Sequence, residues 1–311
     1  MRRAKNLSIF VLSISFLLVL PLLSYADGIY DKNLHYFQPP PDGSGIILTY
    51  GSEPLNWLGI HYGLVADEAQ VHVTYVPPHG EKEIFVQNQV GANALLGVGI
   101  TRFFNVGVAL PFVVWREFND KYIDKYHITN AKESAIEDMR IDVKGILLNR
   151  RANCLGVAAA VTTTVPLDAL ENNFLSDMQP TVTPRLIVDF GRRRWNVAFN
   201  AGYKHYSKES TSPIIKMEIK DEVLLSFGGK LRISQMNELM GDALFRTQAA
   251  SFFTDPNYNY GEFIGAYRRL FGSYSLFALT IGAGGGVMDG VGTPSVRVFI
   301  GLTSYEYRLG F

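Results

Sequence analysis

The sequence predicts an all-β fold: a transmembrane, antiparallel, up-and-down β-barrel of about twelve strands that follows a cleaved signal peptide. Three observations lead to this prediction. Short stretches of alternating apolar and polar residues recur along most of the chain. The connections between them are alternately short and long, and the chain begins with a basic and then an apolar segment.

Residues 1–26 have the order of a secretory signal peptide. Three basic residues lie within the first five positions, an apolar run covers residues 7–23, and Ser24-Tyr25-Ala26 follows. Small residues separated by one position are typical of a peptidase site, so we expect cleavage after Ala26. An uncleaved membrane anchor is the alternative.

Composition narrows the class of protein. The 311 residues include one cysteine, Cys154, so no intramolecular disulfide can form in an exported chain. Loss of residues 1–26 would remove three basic and no acidic residues, which leaves an acidic excess. Since nucleic-acid binding needs a basic face, no nucleic-acid partner is expected. After Ala26 no run approaches the roughly 18 apolar residues of a transmembrane helix, so any spanning segments must be strands.

Residues 27–55 are expected to form an irregular periplasmic lead-in, and residues 56–311 the barrel. The stretch QPPPDGSG at 38–45 has too many prolines and glycines for a regular element. From residue 57 onward the alternation favours strands, because a helix would scatter the charges around its circumference. The expected strands are 57–65, 84–98, 103–114, 137–148, 154–165, 180–190, 195–206, 221–232, 237–248, 258–269, 274–283 and 295–304.

The connections are asymmetric. Those near residues 101, 150, 193, 235 and 271 are short, whereas 66–83, 115–136, 166–179, 207–220, 249–257 and 284–294 are long and polar. Tight periplasmic turns and long external loops are typical of barrels in the bacterial outer membrane, which is the expected location.

The polar faces of the strands carry both signs of charge. In a membrane barrel the apolar face meets lipid and the polar face lines the lumen. The residues expected in the lumen are Arg140, Lys144, Arg185, Lys204, Lys230, Arg232, Arg246 and Arg297, with Asp138, Asp142, Asp189, Glu222, Glu238 and Asp242. We expect opposed charges on neighbouring strands to pair across a narrow interior and to restrict any pore. The solvated face of a soluble barrel is the alternative.

The succession WLGIHYGLV, VQNQVGANALLGVGI, NVGVALPFVVW, IEDMRIDVKGILL, PTVTPRLIVDF, NVAFNAGYKH, DEVLLSFGGKL and GTPSVRVFIGL resembles the N-terminal transmembrane barrel of some OmpA-family outer-membrane proteins. The resemblance covers roughly residues 57–302 in order. It implies the membrane module only, since the chain ends at Phe311 before any calcium-binding repeat or peptidoglycan-binding domain. Similar strand patterns occur in outer-membrane transporters linked to uptake of aromatic compounds.

One stretch raises an enzymatic alternative. His205-x-Ser207 near the loop end of a strand resembles the His-Ser-Asn site of outer-membrane phospholipase, but Lys208-Glu209 replaces the family's Asn-Gly. A histidine activates a serine only within hydrogen-bonding reach. The other histidines show no metal-ligand spacing with carboxylates. The sequence therefore predicts no enzyme, with no catalytic residue, metal or cofactor.

The function expected is a porin-like channel or passive transporter for small solutes. A non-conducting structural or adhesive barrel that acts through its loops is the alternative, and an outer-wall lipid hydrolase is a remote one. The expected partners are outer-membrane lipid and lipopolysaccharide, the barrel-assembly machinery and small solutes.

The C-terminal stretch SVRVFIGLTSYEYRLGF changes phase near Thr303-Ser304. Either a bulge absorbs one residue and the last strand runs to Phe311, or the strand ends and 303–311 form a tail. We favour the bulge.

Overall fold

A computed structural model describes residues 32–71, 74–75, 83–84, 86–119, 121, 133–150, 154–167, 175–192, 194–211, 218–272 and 277–304. Twelve long strands form the barrel wall. They are β1 (Ile60–Val71), β2 (Val86–Thr101), β3 (Phe104–Phe118), β4 (Met139–Leu148), β5 (Leu155–Val165), β6 (Thr181–Arg192), β7 (Trp195–Tyr206), β8 (Glu222–Arg232), β9 (Asn237–Gln248), β10 (Tyr260–Phe271), β11 (Phe277–Gly286) and β12 (Pro294–Ser304).

The strands close on themselves. Each pairs antiparallel with the next along the chain, and β1 pairs with β12, where Val65 lies opposite Gly301. Closure removes the free edges that a membrane would not tolerate. The prediction of an up-and-down barrel with twelve strands is thus confirmed. The bounds of the first strand differ most from the predicted range, 57–65, because the strand continues past Val65 to Val71.

Short strand pairs and two 3-10 helices occur at the long-connection end. Thr74–Tyr75 pairs with Glu83–Ile84, Ser210–Thr211 pairs with Glu218–Ile219, and Ala135–Ile136 lies beside β3. The helices are Ala249–Ser251 and Pro256–Tyr258. Five short turns lie at the opposite end, which we take as periplasmic because outer-membrane barrels keep their long loops outside.

The outward faces of the strands are apolar. Leu64, Leu186, Phe227 and Ile300 are each about half exposed at the middle of their strands, while Arg297 between two outward residues of β12 is buried. A row of exposed large aliphatic and aromatic side chains around a closed barrel is stable in lipid but not in water. This belt and the fold place the chain in the bacterial outer membrane.

Residues 32–55, which we call the luminal segment, correct one expectation. The segment is irregular, as expected, but it lies inside the barrel rather than in the periplasm. Phe37, Ile46, Leu48 and Tyr50 are buried, and they pack on inward-facing residues of the wall. The physical reason is burial: this apolar run would be exposed to water in the periplasm, whereas the lumen covers it.

Helices contribute little to the described chain, and no helix in the described residues is long and apolar enough to cross a membrane. The last strand keeps a regular register with β11 as far as Ser304, which lies opposite Phe277. Residues 305–311 and residues 1–31 lie outside the described residues, so the C-terminal bulge and the signal peptide stay predictions.

The occupied lumen as the candidate functional site

The luminal segment crosses the barrel from the external end to the periplasmic end. At its start, Lys32 Nζ lies 2.6 Å from Glu222, the first residue of β8 at the external end. Near its finish, Glu53 pairs with Arg150 in the short turn between β4 and β5. Side chains from both ends of the barrel wall therefore hold the two ends of the segment.

A network of buried charges holds the external half. His35 Nδ1 lies 2.6 Å from Glu137 Oε1, and its Nε2 lies 3.1 Å from Asp67 Oδ1. Arg297 pairs with the same Asp67 and, at 2.7 Å, with Glu262 of β10. Because both ring nitrogens face carboxylates, the doubly protonated imidazolium suits this position. The network joins the luminal segment to β1, β10 and β12.

The middle of the segment is held through its backbone. Asp242 Oδ2 accepts hydrogen bonds from the amides of Ile47, Leu48 and Thr49 at 2.9, 2.5 and 3.0 Å. Asn200 accepts from the Tyr50 amide at 2.8 Å and donates to the Tyr50 carbonyl at 3.0 Å. These contacts satisfy backbone groups that no secondary structure would otherwise satisfy.

The periplasmic half is organised around Lys144. Its Nζ lies 2.5 Å from Asp42 Oδ2 and donates to the carbonyls of Gly51 and Glu53, both at 2.9 Å. Ser52 donates from its amide and its hydroxyl to Asp189, at 3.1 and 2.5 Å. One buried cation thus draws two separate stretches of the segment together.

Aromatic side chains of the segment stack against wall residues. The Arg246 guanidinium lies 4.2 Å from the centre of the Tyr36 ring, and Arg185 lies 4.3 Å from that of Tyr50. Phe37 packs against Phe299 with ring centres 5.1 Å apart. Cation–π contacts of this kind contribute about 0.5–2 kcal/mol each.

The structure places the charged residues expected in the lumen on the inner side of the wall. Those in contact with the luminal segment are Arg140, Lys144, Arg185, Arg246, Arg297, Asp142, Asp189, Glu222 and Asp242. We expected opposed charges on neighbouring strands to pair across a narrow interior. Arg246 pairs with Glu222 and Arg297 with Glu262 between wall strands, and the luminal segment supplies further partners for these charged residues.

The remaining predicted residues contact the wall or its connections. Arg232 Nη2 lies 2.8 Å from Glu238, and Lys230 acts electrostatically on the same carboxylate. Lys204 Nζ lies 2.5 Å from Asp177. Asp138 accepts a hydrogen bond from the Asp177 amide at 2.8 Å.

Sequence reasoning missed several residues of the lumen. Asp67 was expected in a loop because the first strand was predicted to end at Val65, although the alternation continues to residue 69. Glu262 lies within a predicted strand but was not singled out. The run IILTY at 46–50 was the available signal for the luminal segment, because five successive residues of this kind are unusual in an exposed linker.

A cavity that we call the polar cavity lies between the luminal segment and the wall of β4 to β9. The space that the centres of water molecules can occupy there is about 50 Å³, room for roughly three to five waters. Short inward side chains of the wall create it, since Thr162, Thr164, Thr183 and Ser226 line it. Its charged lining residues are Arg140, Arg185, Lys204, Arg246, Asp138 and Asp177. Cations therefore outnumber carboxyl groups.

The second cavity lies on the other side of the segment, with about 60 Å³ of comparable space. Phe37, Ile46, Val65, Leu95 and Phe299 give it a more apolar lining. The segment thus leaves narrow spaces on both flanks rather than one open pore.

Asp138 lies at the external rim of the polar cavity, and its surroundings favour the protonated carboxyl. Burial of this carboxyl and the neighbouring Asp177 carboxylate raise the pKa of Asp138 to about 8. The neutral form of Asp138 is therefore favoured, and in that form the cavity lining carries a larger excess of positive charge.

The histidine and serine of the enzymatic alternative have separate partners. His205 Nδ1 lies 3.0 Å from Asp221 Oδ2 on the outer surface. The Ser207 hydroxyl donates to the Pro180 carbonyl at 2.7 Å. A serine that donates to a backbone carbonyl is not activated by the histidine, so this geometry contains no nucleophile and base pair. In the described part of the chain no group of three or more His, Cys, Asp or Glu is arranged to hold a metal ion.

Comparisons with known proteins agree at the level of fold. No family model matches the sequence, and no curated protein sequence matches it. The COG4313 outer membrane channel from Pseudomonas putida F1 aligns with a TM-score of 0.59 at 12% identity, over 81% of this chain and 97% of that one. A NanC porin aligns with a TM-score of 0.51 at 8% identity, over 79% and 99%. The chain therefore shares the barrel fold of outer-membrane channels.

Proposed function

We propose that this protein is a porin-like channel that lets small solutes cross the outer membrane passively. The observation that carries the proposal is the lumen itself: a closed barrel whose inner wall is polar and charged, with water-sized spaces on both flanks of the luminal segment. Wall side chains alone fill barrels of about eight strands, so a wall of twelve strands encloses space beyond its own side chains. The similar folds are called a channel and a porin, which supports the same proposal.

The test is conductance in planar bilayers. Protein refolded into lipid, and checked by heat-modifiable migration on a gel, should pass small ions in low-conductance steps. A variant without residues 32–55 should give larger steps, because the segment fills the centre of the lumen. Absence of conductance in the wild-type protein would refute the channel proposal, whatever the shortened variant does.

A second candidate is a non-conducting barrel that acts through its external loops. The luminal segment favours it, because buried ion pairs join the segment to the wall at its start, middle and end. Conductance separates the two candidates, since only a sealed barrel would show no ion steps with the segment in place.

We further propose kinship with the membrane module of OmpA-family proteins, which the order of strand motifs from residue 57 to residue 302 supports. Residues 1–26 would then serve as the signal peptide. The barrel-assembly machinery, outer-membrane lipid and lipopolysaccharide are the partners that such a barrel requires. Export of a fusion of residues 1–26 to a reporter enzyme, compared with a fusion lacking them, tests the signal.

A further inference from the structure

Two arginines in the polar cavity have no carboxylate partner in the described part of the chain. Arg140 Nη2 donates to the Pro39 carbonyl at 3.2 Å and to Asn93 at 3.4 Å, and Arg185 Nη1 approaches the Thr162 hydroxyl at 3.5 Å. The other two cations of the cavity are paired: Lys204 with Asp177, and Arg246 with Glu222.

Arg140 is buried and incompletely satisfied. Its side chain is 3% exposed, and its Nε has no hydrogen-bond partner. A buried donor without a partner destabilises the folded state, and does so more when the group is charged. A buried guanidinium outside any ion pair is therefore a position that a bound anion would stabilise.

The inward side chains of the wall between the two arginines are short, and several carry hydroxyl groups. Arg140 on β4 lies opposite Thr164 on β5, and Arg185 on β6 lies opposite Ala160 on β5. Thr162 lies between these two β5 positions, so hydroxyl donors line the space that separates the guanidinium groups. Tyr50 of the luminal segment forms the facing side, where Arg185 stacks on its ring.

Nearby acids of the described chain form no ion pair with either arginine. Asp142, two positions from Arg140 on β4, accepts a hydrogen bond from the Tyr50 hydroxyl. Asp138 lies at the rim, where burial and the Asp177 carboxylate raise its pKa and favour its neutral form. The cavity therefore combines two guanidinium groups outside any described ion pair, hydroxyl donors and room for roughly three to five waters.

We propose that this cavity is a binding site for a small oxyanion, a carboxylate or a phosphate of a few non-hydrogen atoms, recognised by Arg140 and Arg185. Guanidinium forks match the two oxygens of such groups better than they match a spherical ion. The proposal deepens the proposed channel function and rests on it, since it names the class of solute that the lumen selects.

Equilibrium binding tests the site without requiring conduction. Refolded protein in an uncharged detergent is titrated with ¹³C-labelled acetate, with inorganic phosphate and with ethylammonium, and the NMR line broadening of each probe is recorded. We expect saturable broadening of acetate or phosphate and none of ethylammonium. The anion that binds with the higher affinity identifies which class of oxyanion, carboxylate or phosphate, the site prefers.

Arg140→Gln and Arg185→Gln should each weaken the anion affinity about tenfold or more, because each removes charge-assisted hydrogen bonds. Arg102→Gln is the matched control, since Arg102 is exposed near a periplasmic turn and stacks on Phe103. Arg185→Lys keeps the charge, should fold, and should bind more weakly than wild type but more tightly than Arg185→Gln.

Equal broadening in Arg185→Gln and Arg102→Gln, or no broadening of either anion by the wild type, would overturn the site. Conductance without anion binding would overturn this inference alone. Anion binding without conductance would support the binding site and refute the proposed channel function.

Discussion

Asp242 is the wall residue whose removal should most directly loosen the luminal segment. Its carboxylate accepts the amides of Ile47, Leu48 and Thr49 at the middle of the lumen, with distances of 2.5–3.0 Å. Asp242→Ala removes all three bonds but keeps the strand, since the backbone of β9 pairs with β8 and β10 on either side.

The size of the effect follows from the bonds lost. A hydrogen bond to a charged group contributes about 1.5–3 kcal/mol, and bonds that share one acceptor are not additive, so the cluster contributes about 3–4 kcal/mol. Since each 1.4 kcal/mol is about tenfold in an equilibrium constant, the population with a displaced segment should rise about 100- to 1000-fold. Asp242→Asn keeps a neutral acceptor oxygen and should show a smaller increase.

Single-channel recording in planar bilayers measures this population as the fraction of time spent at the large conductance. Glu68→Ala is the control, because Glu68 is an exposed acid on the outer face of β1. If Asp242→Ala is heat-modifiable like the wild type but its fraction of time at the large conductance is unchanged, the segment is not held by these bonds and the reasoning fails.

Three further expectations concern other parts of the lumen and wall. The anion preference of the channel, measured as the reversal potential in a salt gradient, should fall as the pH rises through about 8, because Asp138 then becomes negative at the cavity rim. Asp138→Asn should abolish this pH-dependent fall. Gly228→Ala should raise the frequency of large openings, since a Cβ would lie 1.9 Å from Asp242 Oδ1 and 2.9 Å from Ile46, whereas Gly229→Ala, with neighbours at 3.9 Å, should not. Ile300→Arg should lower the free energy of unfolding in lipid vesicles by about 2–4 kcal/mol, because this half-exposed residue faces the membrane at mid-strand, and Ile300→Leu should change it little. A neutral effect of the arginine would place that face outside the hydrocarbon.

The strands were predictable because each carries its own signal. The alternation in β7 and β9 depends on neighbours two positions apart, and the predicted bounds of both strands, 195–206 and 237–248, agree with the structure. A barrel wall separates lipid from lumen at every strand, so the same two-residue period recurs along the chain.

The luminal segment was not predictable in the same way. Its conformation depends on contacts far along the chain, such as Ile47 with Asp242 and Tyr50 with Asn200, which are separated by 195 and 150 residues. Prolines and glycines at 38–45 correctly indicated an irregular chain, but local sequence carries no information about which surface an irregular chain packs on. The charged face of the wall could be predicted, whereas its partners could not.

The oxyanion site and the luminal segment are thermodynamically linked. Tyr50 belongs to the segment and stacks on Arg185, so displacement of the segment removes one side of the proposed site and opens it to water. A ligand that binds only the occupied lumen stabilises it by RT ln(1 + [L]/Kd), which at ten times Kd lowers the open-to-closed ratio about elevenfold. We therefore expect acetate or phosphate to suppress the large openings of Asp242→Ala in a saturable way, and Arg185→Gln in that background to abolish the suppression. Openings that become more frequent as the anion is added would mean that the anion prefers the displaced state, and that the cavity seen here is not where it binds.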